Sequence, residues 1–244
     1  MTPSLAATLA FGAAACDPGA PPGGGRERQA CEKKVMVIGD DVRGGAAPLA
    51  LALSAAGFEV TTSAASSSEY RGAPSLAGFG AVVLLAGGLL RTPPADMPAE
   101  GQQAIADFVA AGHGLVLSEW AALHVAAQRW QTLAPLVLLG RGEAHTGQVT
   151  YEVEPTFAAH PIWAGLPPSF TFGSTSNVGA LLPGPGVSRV ARSPQAGDAV
   201  ALRDSGQGRV VHLSHAGTYV IHGWSNVNLQ RLVANAARWA AVCR

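Results

Sequence analysis

Short apolar runs that end at glycine or an acidic residue most constrain the fold of this chain. Three of them are KVMVIGD (34–40), FGAVVLLAGG (79–88) and GLVLSE (114–119). Continuous apolar runs of this length are typical of strands that are buried on both faces of a parallel sheet. Residues 44–57 and 99–112 lie between them, and each of these segments has helical character and ends at a glycine. The alternation predicts an α/β fold with a doubly wound, mostly parallel sheet of the flavodoxin-like kind.

The alternation changes in the second half of the chain. FEVTTSA (58–64) still fits the parallel pattern, but QVTYEVE (148–154) alternates like a strand with one face in solvent. Residues 187–193 and 199–205 flank PQAGD and predict an added antiparallel hairpin. GRVVHLS (208–214) is apolar enough to return to the central sheet, and residues 226–241 predict a closing amphipathic helix.

Composition excludes some classes of function. The chain has 244 residues, of which 48% are hydrophobic and 13% charged, and its formal net charge is +0. A nucleic-acid-binding protein would need a basic face to neutralise phosphates, so no nucleic-acid partner is expected. No apolar run reaches the roughly 18 residues that span a bilayer. We therefore expect one α/β domain over residues 33–244.

The first residues of the chain have a different character. The segment LAATLAFGAAAC (5–16) is apolar and ends in small residues before Cys16, and a Pro/Gly-rich stretch follows it. This order resembles a bacterial lipoprotein signal, which implies that residues 1–16 are a signal peptide with Cys16 as the lipidated residue. Residues 17–32 would then be a flexible linker to a domain in the cell envelope, on its periplasmic face. The alternatives are a cleaved signal without lipid, with the protein free in the periplasm, and a cytosolic protein with a disordered tail.

GHGLVLSEW (112–120) is patterned like the sharp strand-to-helix turn that exposes a nucleophile in many α/β enzymes. Ser118 and Glu119 stand at the turn, with no cysteine nearby and no G-x-S-x-G around the serine. The stretch therefore has the pattern of a catalytic turn without the usual nucleophile.

Three stretches, taken in order, resemble one family. They are AAGHGLVLSEWAALH (110–124), HPIWAGLPPSF (160–170), and GQGRVVHLSHAG followed by NLQRLVANAARWA (206–240). Together they resemble the trehalose-utilisation, or ThuA-like, branch of the class I glutamine amidotransferase-like fold. The resemblance covers roughly residues 33–242 and implies that fold, with a site at the carboxyl ends of the strands.

The three cysteines lie at the ends of the chain, at positions 16, 31 and 243. Class I amidotransferases use a cysteine at the turn, activated by a histidine that a carboxylate orients. None of these three can occupy residues 118–119, so glutaminase activity is not expected. If Cys16 carries lipid, Cys31 and Cys243 remain, and an exported protein tends to pair them as a disulfide.

Glu119 and His215 are the candidate catalytic residues. Each follows a predicted parallel strand, and ligands of such sheets bind where the carboxyl ends of the strands converge. Glu119 takes the place where the ThuA-like pattern commonly has a histidine, and its carboxylate could act as a general base or bind sugar hydroxyls. The alternative is that Glu119 is an acidic N-cap of the next helix.

Other candidate ligand-binding residues surround this pair. Asp40 and Asp41 follow the first strand, and Ser118 precedes Glu119, although a structural role suits the serine better. His222 and Trp224 stand in the loop before the last helix, where an aromatic ring beside polar groups suits carbohydrate stacking or anchors the loop. His160 and His212 are interpreted as structural.

Nothing in the sequence indicates a cofactor or a metal site. The histidines lack helical i,i+3 or i,i+4 pairing, and no phosphate-binding loop pattern is present. The expected function is binding of a small polar ligand, such as a carbohydrate, by an exported, lipid-anchored domain whose oligomeric state is open. The alternatives are a hydrolase or sugar-modifying enzyme that uses Glu119 and His215 as acid and base, and a protein-interaction module of the cell envelope.

Overall fold

The structure is a computed structural model that describes residues 32–39, 46–63, 66–87, 96–142, 144–177, 179–204, 208–217 and 222–241. Several expectations concern residues outside these ranges. They are the signal peptide with Cys16, the linker up to residue 31, the rim residues Asp40 and Asp41, and the cysteines Cys31 and Cys243.

The described residues form nine strands and four α-helices. The strands are Lys34–Gly39 (β1), Glu59–Thr62 (β2), Ala81–Leu85 (β3), Gly114–Leu117 (β4), Ala144–Val153 (β5), Ser169–Asn177 (β6), Val187–Ser193 (β7), Gly197–Asp204 (β8) and Arg209–Leu213 (β9). The helices are Ala46–Ala55 (α1), Ala99–Ala110 (α2), Trp120–Ala126 (α3) and Val227–Ala240 (α4). None of these helices is long and apolar enough to cross a membrane.

All nine strands belong to one mixed sheet, in the order β2-β1-β3-β4-β9-β8-β7-β5-β6. In this order, the first five strands, β2-β1-β3-β4-β9, are parallel to one another, as the sequence pattern predicted. The sequence thus correctly placed β9 back in the central sheet, where Leu115 is in register with Val210.

The antiparallel part is larger than the single hairpin that the sequence predicted. The hairpin is present as β7 and β8, but β5 pairs with β7, and β6 pairs with β5 at the edge of the sheet. Strand β6 was not predicted. Its sequence SFTFGSTSN alternates an apolar with a polar residue only around Phe170 and Phe172, and then becomes polar.

Side chains alternate between the two faces of the sheet and so reach two separate core clusters. In β1, Val35 and Val37 pack with helices α1 and α4, through residues such as Leu49 and Leu232. Met36 and Ile38 point to the other face, which α2 and α3 cover with residues such as Ile105 and Ala121. Because both faces are covered, the inner parallel strands β1, β3 and β4 are almost wholly apolar, whereas the edge strand β2 is polar and mostly exposed.

A glycine at the start of β4 lets the end of α4 approach the sheet. A Cβ at Gly114 would lie 2.5 Å from the backbone carbonyl carbon of Ala240, well inside van der Waals contact. Gly114 is therefore explained by packing of the last helix, at the end of β4 opposite to Ser118.

Candidate functional site

Ser118 and Glu119 directly follow β4 at the carboxyl edge of the parallel strands. The Ser118 N–H donates to the Leu84 carbonyl at 3.1 Å, and the Glu119 N–H donates to the His215 carbonyl at 3.1 Å. Glu119 has φ −52° and ψ −53°, an ordinary helical conformation. The turn therefore lacks the strained backbone of a nucleophile turn, although the sequence around it has that pattern.

The structure buries Glu119 completely and pairs it with an arginine. Arg141 Nη1 donates to Glu119 Oε1 at 3.2 Å, and the arginine side chain is 26% exposed. Glu119 occupies the N-cap position of α3, but its side chain makes no capping hydrogen bond. Its carboxylate is thus held by a guanidinium, which explains how a charged group can be buried at this edge.

Arg141 is the functional candidate that the sequence analysis missed. It lies in LGRGE (139–143), which belongs to no motif and no predicted element. Its guanidinium carbon lies 5.8 Å from the centre of the Trp120 ring, at the start of α3. The sequence contained one indirect signal for Arg141. A buried carboxylate at Glu119 would need a cation nearby, and few arginines lie in this part of the chain.

His212 holds the segment that leads to Arg141. Its Nδ1 accepts hydrogen bonds from the backbone N–H groups of Leu138 at 3.2 Å and Leu139 at 3.1 Å. Burial lowers the pKa of His212 to about 3, so the ring is neutral and carries its proton on Nε2. This buried position in β9 agrees with the structural role that the sequence indicated.

His215 is buried beside Glu119, but its side chain is engaged with the protein. Its Nε2 lies 2.8 Å from the Gly223 carbonyl, which can only accept, so this nitrogen carries a proton. The ring meets Phe172 and Trp224 edge-on, with centroids 5.0 and 4.6 Å apart. Burial lowers the pKa of His215 to about 4, against the opposing effect of the bond to Gly223, so the ring is neutral at pH 7.

The remaining predicted site residues divide into buried and exposed ones. Ser118 and Trp224 are buried. A ligand could therefore stack on the Trp224 ring only after the residues that cover the ring move. His222 is exposed and has a φ of 61°, a left-handed conformation that histidine adopts more readily than most residues. His160 is half-buried, and its Nδ1 accepts from the Ile162 N–H at 3.3 Å, which is a structural role. Within the described ranges, no group of three or more His, Cys, Asp or Glu residues could hold a metal ion.

Comparison with known proteins gives matches at the level of structure. No protein-family model matches the sequence, and no curated protein matches it. A ThuA-like protein from Parabacteroides merdae aligns over 86% of this chain and 91% of its own, with a TM-score of 0.58 and 14% identity. A glutamine amidotransferase from Thermotoga maritima aligns over 86% and 98%, with a TM-score of 0.58 and 12% identity.

A third solved structure contains this fold as part of a larger chain. The carbohydrate deacetylase Agd3 aligns over 82% of this chain but only 32% of its own length, with a TM-score of 0.53 and 14% identity. At these identities the likeness establishes the fold alone. The chain therefore has the ThuA-like, glutamine amidotransferase-like fold that its sequence predicted.

Proposed function

We propose that this protein is an exported, lipid-anchored domain that binds a small polar ligand of the carbohydrate class at the carboxyl edge of its parallel strands. The observation that carries the proposal is the partly exposed guanidinium of Arg141, held in place by the buried carboxylate of Glu119. The proposal includes no glutaminase activity, because the turn after β4 carries serine and glutamate instead of a cysteine.

Arg141 suits a ligand rich in oxygen acceptors. A guanidinium has five N–H donors in a fixed plane, and the bond to Glu119 is the one hydrogen bond that Arg141 makes among the described residues. The ion pair fixes the plane of the group before a ligand arrives, which lowers the entropic cost of binding. Sugar hydroxyls and carboxylates are acceptors that match these donors. The name of Agd3 supports the carbohydrate class, since that protein carries the same fold.

Calorimetric titration tests the binding site. The protein is titrated with a panel of neutral sugars, amino sugars and uronic acids, and the best ligand is then tested on Arg141→Gln. We expect at least about a tenfold loss of affinity, since a hydrogen bond to a charged group contributes roughly 1.5–3 kcal/mol. Arg192→Gln is the matched control, because Arg192 pairs with Glu152 on the antiparallel part of the sheet. Equal affinity of the Arg141 variant and the wild type, or no binding to any sugar, would refute the proposal.

An acid–base enzyme is the second candidate, and the backbone bond between Glu119 and His215 favours it by placing the two residues together. The side chains favour an acid–base enzyme less, because the His215 ring is neutral and its Nε2 donates to the Gly223 carbonyl. Turnover of chromogenic glycosides or acetylated sugars, abolished by Glu119→Gln, would establish the enzyme. Ammonia release from glutamine, measured in the same samples, is expected to stay at the level of the buffer blank.

Export and anchoring are tested separately in cells. Cys16→Ser should leave the chain without lipid and move it from the membrane fraction to the soluble fraction. A wild-type protein that is already soluble and retains Met1 would instead establish the cytosolic alternative. This outcome would leave the test of ligand binding at Arg141 unaffected.

A further inference from the structure

Helices α1 and α4 leave a cavity of about 470 Å³ between them, on the outer side of the helical layer. We call it the basic groove. Its lining includes Ala52 and Ala55 of α1, Gly165, and Arg231, Asn235 and Arg238 of α4. None of these residues belongs to the site around Glu119 and Arg141, so the groove and that site can be occupied at the same time.

Neither arginine of the basic groove forms a salt bridge with another described residue. Arg231 Nη1 donates to the Gly165 carbonyl at 2.5 Å, and Arg238 Nη2 donates to the Ala56 carbonyl at 2.7 Å. Both arginines are exposed, and the described lining of the groove contains no aspartate or glutamate. Carbonyl partners orient a guanidinium but leave its charge available to an anion.

Exposed apolar side chains accompany these arginines. Three large hydrophobic residues are exposed in the described part of the chain, and Leu51 and Val227 are the most exposed, at 73% and 72%. Val227 lines the groove, and Leu51 precedes the lining residue Ala52 on α1. Some arginines of this surface form no salt bridge, and they lie beside exposed aliphatic residues. Such a surface matches the interface of a bilayer, where headgroups are anionic and acyl chains lie just beneath.

The chain enters the domain beside the same surface. Glu32 and Lys33 line a second cavity together with Arg238, which also lines the basic groove. The 15 residues 17–31 join Cys16 to this entry point, and a chain of that length spans at most about 50 Å. A lipid on Cys16 would therefore keep the domain within about 50 Å of the membrane and let this face reach it.

We propose that the basic groove is a docking surface for the anionic phospholipid headgroups of the membrane that holds Cys16. The inference rests on the lipid anchor of the proposed function and adds a second contact that orients the domain. Each arginine beside an anionic surface strengthens binding roughly five- to sixfold, so the two together are expected to contribute about 30-fold. Docking through α1 and α4 leaves Arg141 and Glu119 uncovered.

Co-sedimentation with vesicles tests the docking surface. The full chain carries Cys16→Ser, so that no acyl chain contributes, and is mixed with vesicles of phosphatidylcholine alone or of equal parts phosphatidylcholine and phosphatidylglycerol. We expect tighter binding to the anionic vesicles, and about a 30-fold loss when Arg231→Gln and Arg238→Gln are combined. The matched control combines Arg71→Gln and Arg192→Gln, two exposed arginines that pair with acidic residues elsewhere. An equal loss in both double variants, or equal wild-type binding to the two kinds of vesicle, overturns the proposal.

A second pair of variants tests the apolar contribution without changing any arginine. Leu51→Asn should weaken binding to anionic vesicles severalfold, whereas Leu182→Asn, at the remaining exposed hydrophobic position, should not. Release of the protein by inorganic phosphate at the concentration of the lipid phosphate would show a site for a small anion and overturn docking to a membrane. Sugar titrations without vesicles separate the two proposals, because the Arg231/Arg238 double variant should keep its ligand affinity while losing vesicle binding.

Discussion

The backbone N–H of Glu119 donates to the backbone carbonyl of His215 across 3.1 Å. This bond continues the ladder between β4 and β9 beyond the last paired residues, Leu117 and His212. A bond between main-chain atoms therefore places the two residues side by side. Substitution of either side chain should leave this placement intact, which makes the candidate site suitable for mutational tests.

Removal of the arginine from the ion pair should destabilise the fold. Arg141→Met would leave the carboxylate of Glu119 buried without its guanidinium partner. Breaking a fully buried pair costs roughly 3–5 kcal/mol, and we expect about 2 kcal/mol here because Arg141 is partly exposed. Urea unfolding at pH 7 measures the change. Arg192→Met, which breaks an exposed pair, should change the free energy of unfolding by less than about 0.5 kcal/mol, and a similar loss in both variants would contradict the prediction.

Stability should fall as the pH drops from 6.5 to 5. Burial lowers the pKa of His124 and His215 to about 4 and that of His212 to about 3. Below pH 6.5 these histidines take up protons in the unfolded chain but not in the folded one, so acid favours unfolding. Each contributes a slope of about 1.4 kcal/mol per pH unit.

Urea unfolding at pH 6.5 and pH 5 measures this dependence. His212→Gln should reduce the difference between the two pH values by about 2 kcal/mol, the share of one histidine. Free energies of unfolding that are equal at the two pH values would show that the three histidines are protonated in the folded protein.

Gly217 permits the close packing of the aromatic cluster around His215. A Cβ at this position would overlap the Trp224 ring and lie 2.7 Å from His215 Nε2. Gly217→Ala should therefore displace the Trp224 ring and shift the fluorescence of this tryptophan. It should also lower the free energy of unfolding by about 1–3 kcal/mol. Gly173→Ala is the control, because an added Cβ there meets nothing within 4 Å. Unchanged fluorescence and stability in the Gly217 variant would contradict this packing.

A disulfide between Cys31 and Cys243 remains a prediction from the sequence. In the chain-entropy model such a long loop stabilises the fold by roughly 4–5 kcal/mol. Glu32 and Ala241, which lie close to the two cysteines in sequence, line the same cavity, so the two ends of the domain approach each other. Mass spectrometry of the non-reduced, exported protein should show the bonded peptide, and two free thiols would disprove the pairing.

The inner strands of the parallel half could be predicted because they share a simple physical signature. Strands such as β3 are buried on both faces and therefore consist of consecutive apolar residues. Edge strand β6 has no such run, and Phe170 and Phe172 are the large apolar residues in its sequence. The pairing of β6 with β5 is a tertiary contact that local sequence does not encode.

The candidate site was only partly predictable for a related reason. Glu119 and His215 were found because each follows a strand, and strand ends converge. Arg141 reaches Glu119 from an irregular segment that His212 holds through two backbone bonds, which no spacing rule anticipates. Trp224 has an aromatic ring in a polar loop, which indicated either a ligand platform or a loop anchor, and in the structure the ring is buried against His215.

The position of β9 in the sheet has a consequence for synthesis of the protein. This strand pairs in parallel with β4 on one side and antiparallel with β8 on the other, so it joins the two halves of the sheet in the described structure. Its residues, Arg209–Leu213, come late in the chain. A chain that still lacks residues 209–213 therefore exposes an open edge on β4, and the two halves of the sheet cannot join until this segment has been made.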